Sequence, residues 1–144
     1  KKFFLTDPNM TRFWITIEEA IELTRYAALN GVSNEIFIPK MGSLEMGKVF
    51  SLIRPENKPE VMGRRAGEKV HETMISQNDM HRTYDLGYCF AIADENFTSD
   101  VFKNLEPTSM TEYTSESTNR LKESGFVDKV NNTIVRELNA SILR

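Results

Sequence analysis

Arg12-Phe13-Trp14-Ile15-Thr16-Ile17-Glu18-Glu19-Ala20-Ile21 passes from strand chemistry to helix chemistry within ten residues. Residues 12–16 are aromatic and β-branched, which suits a pleated, half-buried surface. Thr16 then predicts a helix cap. Thr16-Ile17-Glu18-Glu19 fits the capping box, in which the cap hydroxyl and the third-position carboxylate each satisfy a backbone N–H of the other. Two acids in the first turn also suit the positive end of a helix. Ile17, Ala20, Ile21, Leu23, Ala27 and Ala28 recur at helical spacing and predict an apolar face. Asn30-Gly31 is the expected stop, with a left-handed terminus.

On the N-terminal side, residues 2–5 read as a short strand closed by the turn signal Thr6-Asp7-Pro8-Asn9. On the C-terminal side, Glu35-Ile36-Phe37-Ile38-Pro39 reads as a buried strand ended by proline. Ser43 is expected to cap a second helix running through Ile53, with Leu44, Val49, Phe50 and Ile53 inward and Arg54-Pro55 ending it. Glu60-Val61-Met62 reads as a strand leading into Gly63. A short helix is expected within 73–82, starting near Ser76, and a strand over 88–93. Residues 94–117 are polar and read as loop-rich. From Phe126 to Leu143, Phe126, Val130, Ile134, Leu138 and Ile142 fall four apart, an apolar stripe on a polar rod.

Helices interleaved with short strands place the chain in the α/β class. The strands are too few and too short for a complete doubly wound sheet. No Gly-x-Gly-x-x-Gly follows a strand, and there is no Walker loop or Gly-x-Ser-x-Gly elbow. The expectation is one unit, residues 1–144, forming a small lobe that packs on another domain, with 94–117 loop-rich and C-terminal helices over 118–144.

The 144 residues suffice for one domain with a core. A net charge of −3 argues against a nucleic-acid partner. No apolar run approaches the ~20 residues that span a bilayer, so no membrane segment is expected. Lys1-Lys2-Phe3-Phe4-Leu5 is too short in apolar residues for a secretory signal. The single cysteine, Cys89, lies in the apolar run Tyr88–Ala93 and reads as a buried structural thiol. The sequons at Asn96, Asn131 and Asn139 are then chance matches, and a reducing, cytoplasmic compartment fits. The chain opens without methionine, directly in a strand, as a piece of a longer polypeptide does.

Two short motifs carry the chemistry. Met10-Thr11-Arg12-Phe13-Trp14 places an arginine after a turn, with Phe13 and Trp14 on opposite pleat faces to pin its strand. Gly63-Arg64-Arg65-Ala66-Gly67-Glu68-Lys69-Val70-His71-Glu72 places Arg65 before a tight turn, with Glu68 three residues on. A guanidinium keeps its charge and offers five donors in a planar fork suited to phosphate oxygens. Two forks meeting in space form a diphosphate clamp, and Glu68 supplies an acceptor for a sugar diol. The bland alternative is two surface arginines in ion pairs. His71 and His81 are too far apart for a helical metal pair and lack a third ligand, so no metal is expected. Glu18-Glu19 belongs to a helix start and not to an acid–base dyad.

Thr6–Ala20 resembles the C-terminal part of inverting UDP-N-acetylglucosamine 4,6-dehydratases, of the polysaccharide-biosynthesis branch of the extended short-chain dehydrogenase/reductase superfamily. Glu35–Lys40, Gly63–Glu72 and Tyr113-Thr114-Ser115 continue the resemblance in order, and residues 94–112 are its weakest part. The resemblance implies that the chain is the substrate-binding lobe of such an enzyme. It implies that Arg12 and Arg65 grip the diphosphate of a UDP-sugar and that Glu68 sits near the ribose. It also implies that Thr11 belongs with the first grip and that the preceding strand, Phe3 to Leu5, with Leu5 as its candidate contact, sits near the uracil. It further implies oxidation at C4 of the sugar, loss of water across C5–C6 and return of hydride to C6.

That chemistry uses NADP or NAD and catalytic residues held by an N-terminal Rossmann domain. No Tyr-x-x-x-Lys pair is present, so no catalytic or cofactor-binding residue is expected here and the chain alone is expected to be inactive. The chain departs from the pattern at Arg64, usually apolar, and Ala66, often proline. The implied partners are a UDP-sugar, the Rossmann domain and further copies in a homo-oligomer, with self-association or swapping of the C-terminal helix. The alternatives are a non-catalytic nucleotide-sugar or protein-interaction module, and the lobe of a UDP-sugar 4-epimerase.

Overall fold

The computed structural model describes residues 2–32, 34–95 and 100–142. Along the chain run β1 (Phe4–Leu5), β2 (Thr11–Trp14), α1 (Ile17–Asn30), β3 (Ile36–Pro39), β4 (Gly42–Glu45), α2 (Met46–Ile53), β5 (Glu60–Val61) and β6 (Thr73–Ile75). A 3-10 turn (Gln77–Arg82), β7 (Thr83–Asp85), β8 (Cys89–Ile92), a 3-10 turn (Asp100–Phe102), β9 (Tyr113–Thr114) and α3 (Glu123–Ile142) complete the order. The class is α/β, with few helices and short strands, as the sequence predicts. Among the described residues the strands form four small sheets: β1 parallel to β5, β2 antiparallel to β4, the order β3-β8-β7, and β6 antiparallel to β9.

β8 organises the core because all four of its residues are buried. A continuous apolar run suits a strand covered on both faces. Phe90 and Ile92 pack on one face with Ile38, Ile75, Met80 and Tyr113. Ala91 and Ala93 leave room on the other for Phe102, whose ring stacks on Tyr84 at 4.6 Å. Cys89 is buried and free, and burial raises its thiol pKa, which favours the inert protonated form. A separate cluster joins Leu44, Val49 and Phe126. β2 reaches both, since Phe13 lies 5.1 Å from Tyr113 and Trp14 meets Phe126 edge-on at 4.7 Å.

α1 forms where the sequence places it, and the capping box is complete: Glu19 N donates to Thr16 Oγ1 at 3.2 Å and Thr16 N to Glu19 Oε2 at 2.8 Å. Other expectations need correction. Gly31 is extended, φ −77°, and not left-handed. Glycine is needed there for space: a Cβ would stand 2.6 Å from Ala27 O and 2.8 Å from the Phe37 ring. The apolar face of α1 is only half used. Ala20, Leu23 and Ala27 are partly buried, whereas Ile17 and Ile21 are exposed.

Ser43 does not cap a helix. It lies fully buried within β4, opposite Phe13, and its hydroxyl donates to Ser115 O. The helix begins at Met46, and its first N–H groups are met by backbone: Met46 N donates to Met10 O at 2.8 Å and Gly47 N to Pro8 O at 2.9 Å. That approach explains Gly47, where a Cβ would come within 2.8 Å of Pro8. Ile53, expected inward, is exposed.

Within 73–82 the first three residues are a strand and the remainder a 3-10 turn beginning after Ser76. The loop-rich stretch holds β9, whose Tyr113 is buried, its hydroxyl donating to Met41 O and accepting from Met41 N. α3 starts at Glu123, three residues before the expected start, with Phe126 buried and Val130 partly so. The side chains of Ile134, Leu138 and Ile142, all of Leu143 and the segment 96–99 lie outside the described residues. Among the described residues no helix is long and apolar enough to cross a membrane.

Candidate functional site

The two arginine motifs meet. β2 carries Arg12, in register with Leu44 of β4. The second motif leaves β5, crosses an exposed turn and returns beside β2 before entering β6. Thr11 N donates to Val70 O at 3.0 Å, which seats the end of the second motif against the start of the first. Arg64 Nε stands 3.5 Å from Asp7 Oδ2, an ion pair that ties the exposed turn to the one before β2. Leu5 lies beneath this junction, buried in β1, and its carbonyl accepts from Met62 N at 3.0 Å.

Four hydrogen bonds and one ion pair surround the Arg12 guanidinium. Nη1 donates to Thr11 O at 2.7 Å and to Val70 O at 3.1 Å. Nη2 donates to Lys69 O at 3.1 Å and faces Met10 Sδ at 3.8 Å. Nε lies 3.4 Å from Glu72 Oε1. Three backbone carbonyls therefore orient the fork, while its remaining partners are a sulfur, a weak acceptor, and a carboxylate at long range.

Arg65 stands on the exposed turn. Gly63 and Gly67 both have φ above +80°, where a side chain is strained, although nothing lies within 4 Å of a Cβ at either. Glu68 N donates to Arg65 O and Glu68 Oε2 accepts from Arg65 N, each at 3.1 Å. The carboxylate expected near a ribose thus also closes the turn from which Arg65 projects. Ala66, where the family resemblance favours proline, is exposed on the same turn.

Beneath the arginines lies a polar seam that sequence reasoning did not assemble. Thr11 Oγ1 meets His71 Nδ1 at 2.8 Å and Ser115 Oγ at 2.6 Å. Ser115 Oγ accepts from Glu72 N at 2.8 Å, and Ser115 N donates to Glu72 O at 2.8 Å. His71 Nε2 is 3.5 Å from Glu116 Oε1. Arg120 Nη1 donates to Ser43 Oγ and to Ser115 O, closing the seam on β4. Thr11 and Ser115 are fully buried, so the hydroxyl of Thr11 is turned inward. The one available signal was Tyr113-Thr114-Ser115, which recurs in the resemblance without a role attached to Ser115.

Residues 1–94, which include both arginine motifs, match the family of polysaccharide biosynthesis proteins. The inverting UDP-N-acetylglucosamine 4,6-dehydratase of Campylobacter jejuni is 39% identical over 95 residues, 65% of this chain and 28% of the dehydratase. The UDP-glucose 4-epimerases of Rickettsia akari and Rickettsia bellii are 29% and 30% identical over 130 residues, 84% of this chain and 38% of each epimerase. The chain therefore spans well under half the length of these relatives. The X-ray structure of Pen from Bacillus thuringiensis has the same fold over 92% of this chain and 40% of Pen, with a TM-score of 0.75 at 23% identity. On the match over residues 1–94, the chain belongs to the polysaccharide biosynthesis protein family.

Proposed function

We propose that the chain is the nucleotide-sugar-holding lobe of a UDP-N-acetylglucosamine 4,6-dehydratase-like enzyme of polysaccharide or glycan biosynthesis, and that Arg12 and Arg65 grip the UDP diphosphate. The observation that carries this reading is the junction of the two arginine motifs, built by Thr11 N to Val70 O and by Arg64 to Asp7. A diphosphate has two charged centres a few ångströms apart, and two forks on adjoining segments answer it. In this reading Arg12, oriented by carbonyls, is the preset half of the grip, and Arg65 on its exposed turn is the mobile half. Glu68 accepts from the ribose hydroxyls, Leu5 lies toward the uracil, and Thr11 acts from below by holding the strand of Arg12.

NADP or NAD supplies the hydride acceptor and donor of such an enzyme, held by a Rossmann domain in the longer polypeptide. Among the described residues of this lobe, binding and orienting the substrate is the assigned work. A 4-epimerase is the second reading, and it is favoured by the greater share of this chain, 84%, that aligns with the Rickettsia epimerases. Both reactions place the same demand on the lobe.

Calorimetric titration of UDP into the chain tests the grip. Binding should weaken about ten- to a hundredfold in Arg12→Ala and in Arg65→Ala, since a hydrogen bond to a charged group is worth roughly 1.5–3 kcal/mol. Affinity unchanged in both variants removes the grip.

A further inference from the structure

Glu72 occupies the place an anionic ligand needs. Its Oε1 stands 3.4 Å from Arg12 Nε, and it is the one charged acceptor among the five partners of that guanidinium. We infer that Glu72 is a built-in competitor of the diphosphate, released from Arg12 when a phosphate binds; the inference rests on the grip proposed above. Nε and Nη2 share one edge of a guanidinium. The most replaceable partners lie on these two nitrogens, the Glu72 carboxylate and the Met10 sulfur at 3.8 Å. A phosphate taking both leaves the bonds to Thr11 O, Val70 O and Lys69 O in place. The fork stays oriented while its charged partner changes.

Glu72 is also built to let go. Its backbone is fixed at both ends by Ser115, through Glu72 N to Ser115 Oγ and Ser115 N to Glu72 O. Its side chain is 42% exposed and, among the described residues, is held only through the long pair with Arg12. Swinging the carboxylate into water therefore breaks no backbone bond. The expected consequence is selectivity. A ligand with one weak negative charge does not repay the exchange, whereas a diphosphate brings more charge and a bidentate fit.

Titration of UDP and of inorganic pyrophosphate into the wild-type chain, Glu72→Gln and Glu72→Asp decides it. Glu72→Gln keeps the shape and removes the competing charge. It should bind both probes about three- to tenfold more tightly, with a gap that narrows as salt rises. Glu72→Asp, too short to reach the fork fully, should fall between. Tighter binding by either variant supports the competitor role, including the case in which only the variants bind. If the wild type binds and neither variant improves on it, the competitor role falls and the grip stands. If no probe binds any of the three, both fall together. Should Glu72→Gln melt below the assay temperature, Glu72→Asp carries the decision.

Discussion

The sheet around β8 and the arginine junction are held by opposite means. β8 is buried on both faces, and its side chains pack mainly on apolar and aromatic neighbours. At the junction, residues 60–67 are all exposed, and the segments are joined by backbone bonds, two ion pairs and a seam of hydroxyls. Packing is non-directional and hard to exchange, because any gap loses contacts outright. Hydrogen bonds and exposed ion pairs can be traded for those of a ligand at little net cost. A rigid apolar block beside an exchangeable polar edge suits the binding lobe proposed above. In the proposed reading, the Arg12–Glu72 contact lies where this edge exchanges partners.

The largest test falls on the block. Phe90→Ala removes a ring that packs on Ile38, Ile75 and Tyr113 and meets the Tyr113 ring at 5.1 Å. It should cost about 3–5 kcal/mol in urea denaturation. A loss below ~1 kcal/mol would mean that β8 does not anchor the core.

The seam comes next, and it separates hydroxyl from shape. Thr11→Val keeps the volume and strips the group that joins His71 Nδ1 to Ser115 Oγ. Leaving buried polar partners short should cost about 1–3 kcal/mol. Thr11→Ser keeps the hydroxyl, loses one methyl and should cost less. Equal losses in the two variants would make Thr11 a packing residue, and the junction would then be held as the block is held.

How much of this was legible in the sequence follows the same division. The capping box of α1 involves four adjacent residues, so local chemistry suffices, and the structure reproduces it bond for bond. β8 was legible because an uninterrupted apolar run has few places to go. Ser43-Leu44-Glu45 was misread for the converse reason. A serine before an apolar run satisfies the local rule for a cap, and what overrides it is β2, about thirty residues earlier, together with Ser115. β6 and β9 were missed likewise, since each completes the other across some forty residues. Both arginines stood out because their chemistry is unusual at any position. The partner of Arg12 did not, because a glutamate two residues after a valine carries no mark of where its carboxylate will lie.

The smallest effect lies at the margin of the block, where two carboxylates hold turns. Ser76 Oγ donates to Asp79, as does Arg82, and these bonds hold its pKa below the ordinary value. Lys40 and the backbone N–H of Gly87 do the same for Asp85. In both cases the folded chain favours the charged form more than the unfolded chain does. Their contribution is therefore complete above the unfolded carboxylate range, near pH 4, and is lost as pH falls through the lower folded values. Asp79→Asn should melt below the wild type at pH 7, with a gap that narrows as the pH falls below the unfolded carboxylate range, and Asp85→Asn should do so more weakly. Asp85 is half exposed and its pair is screened by salt, while Asp79 is less exposed and takes two side-chain donors. Melting curves that stay a fixed distance apart from pH 7 to pH 3 would show that the turns are held by shape and not by charge. The polar edge would then be confined to the arginine junction.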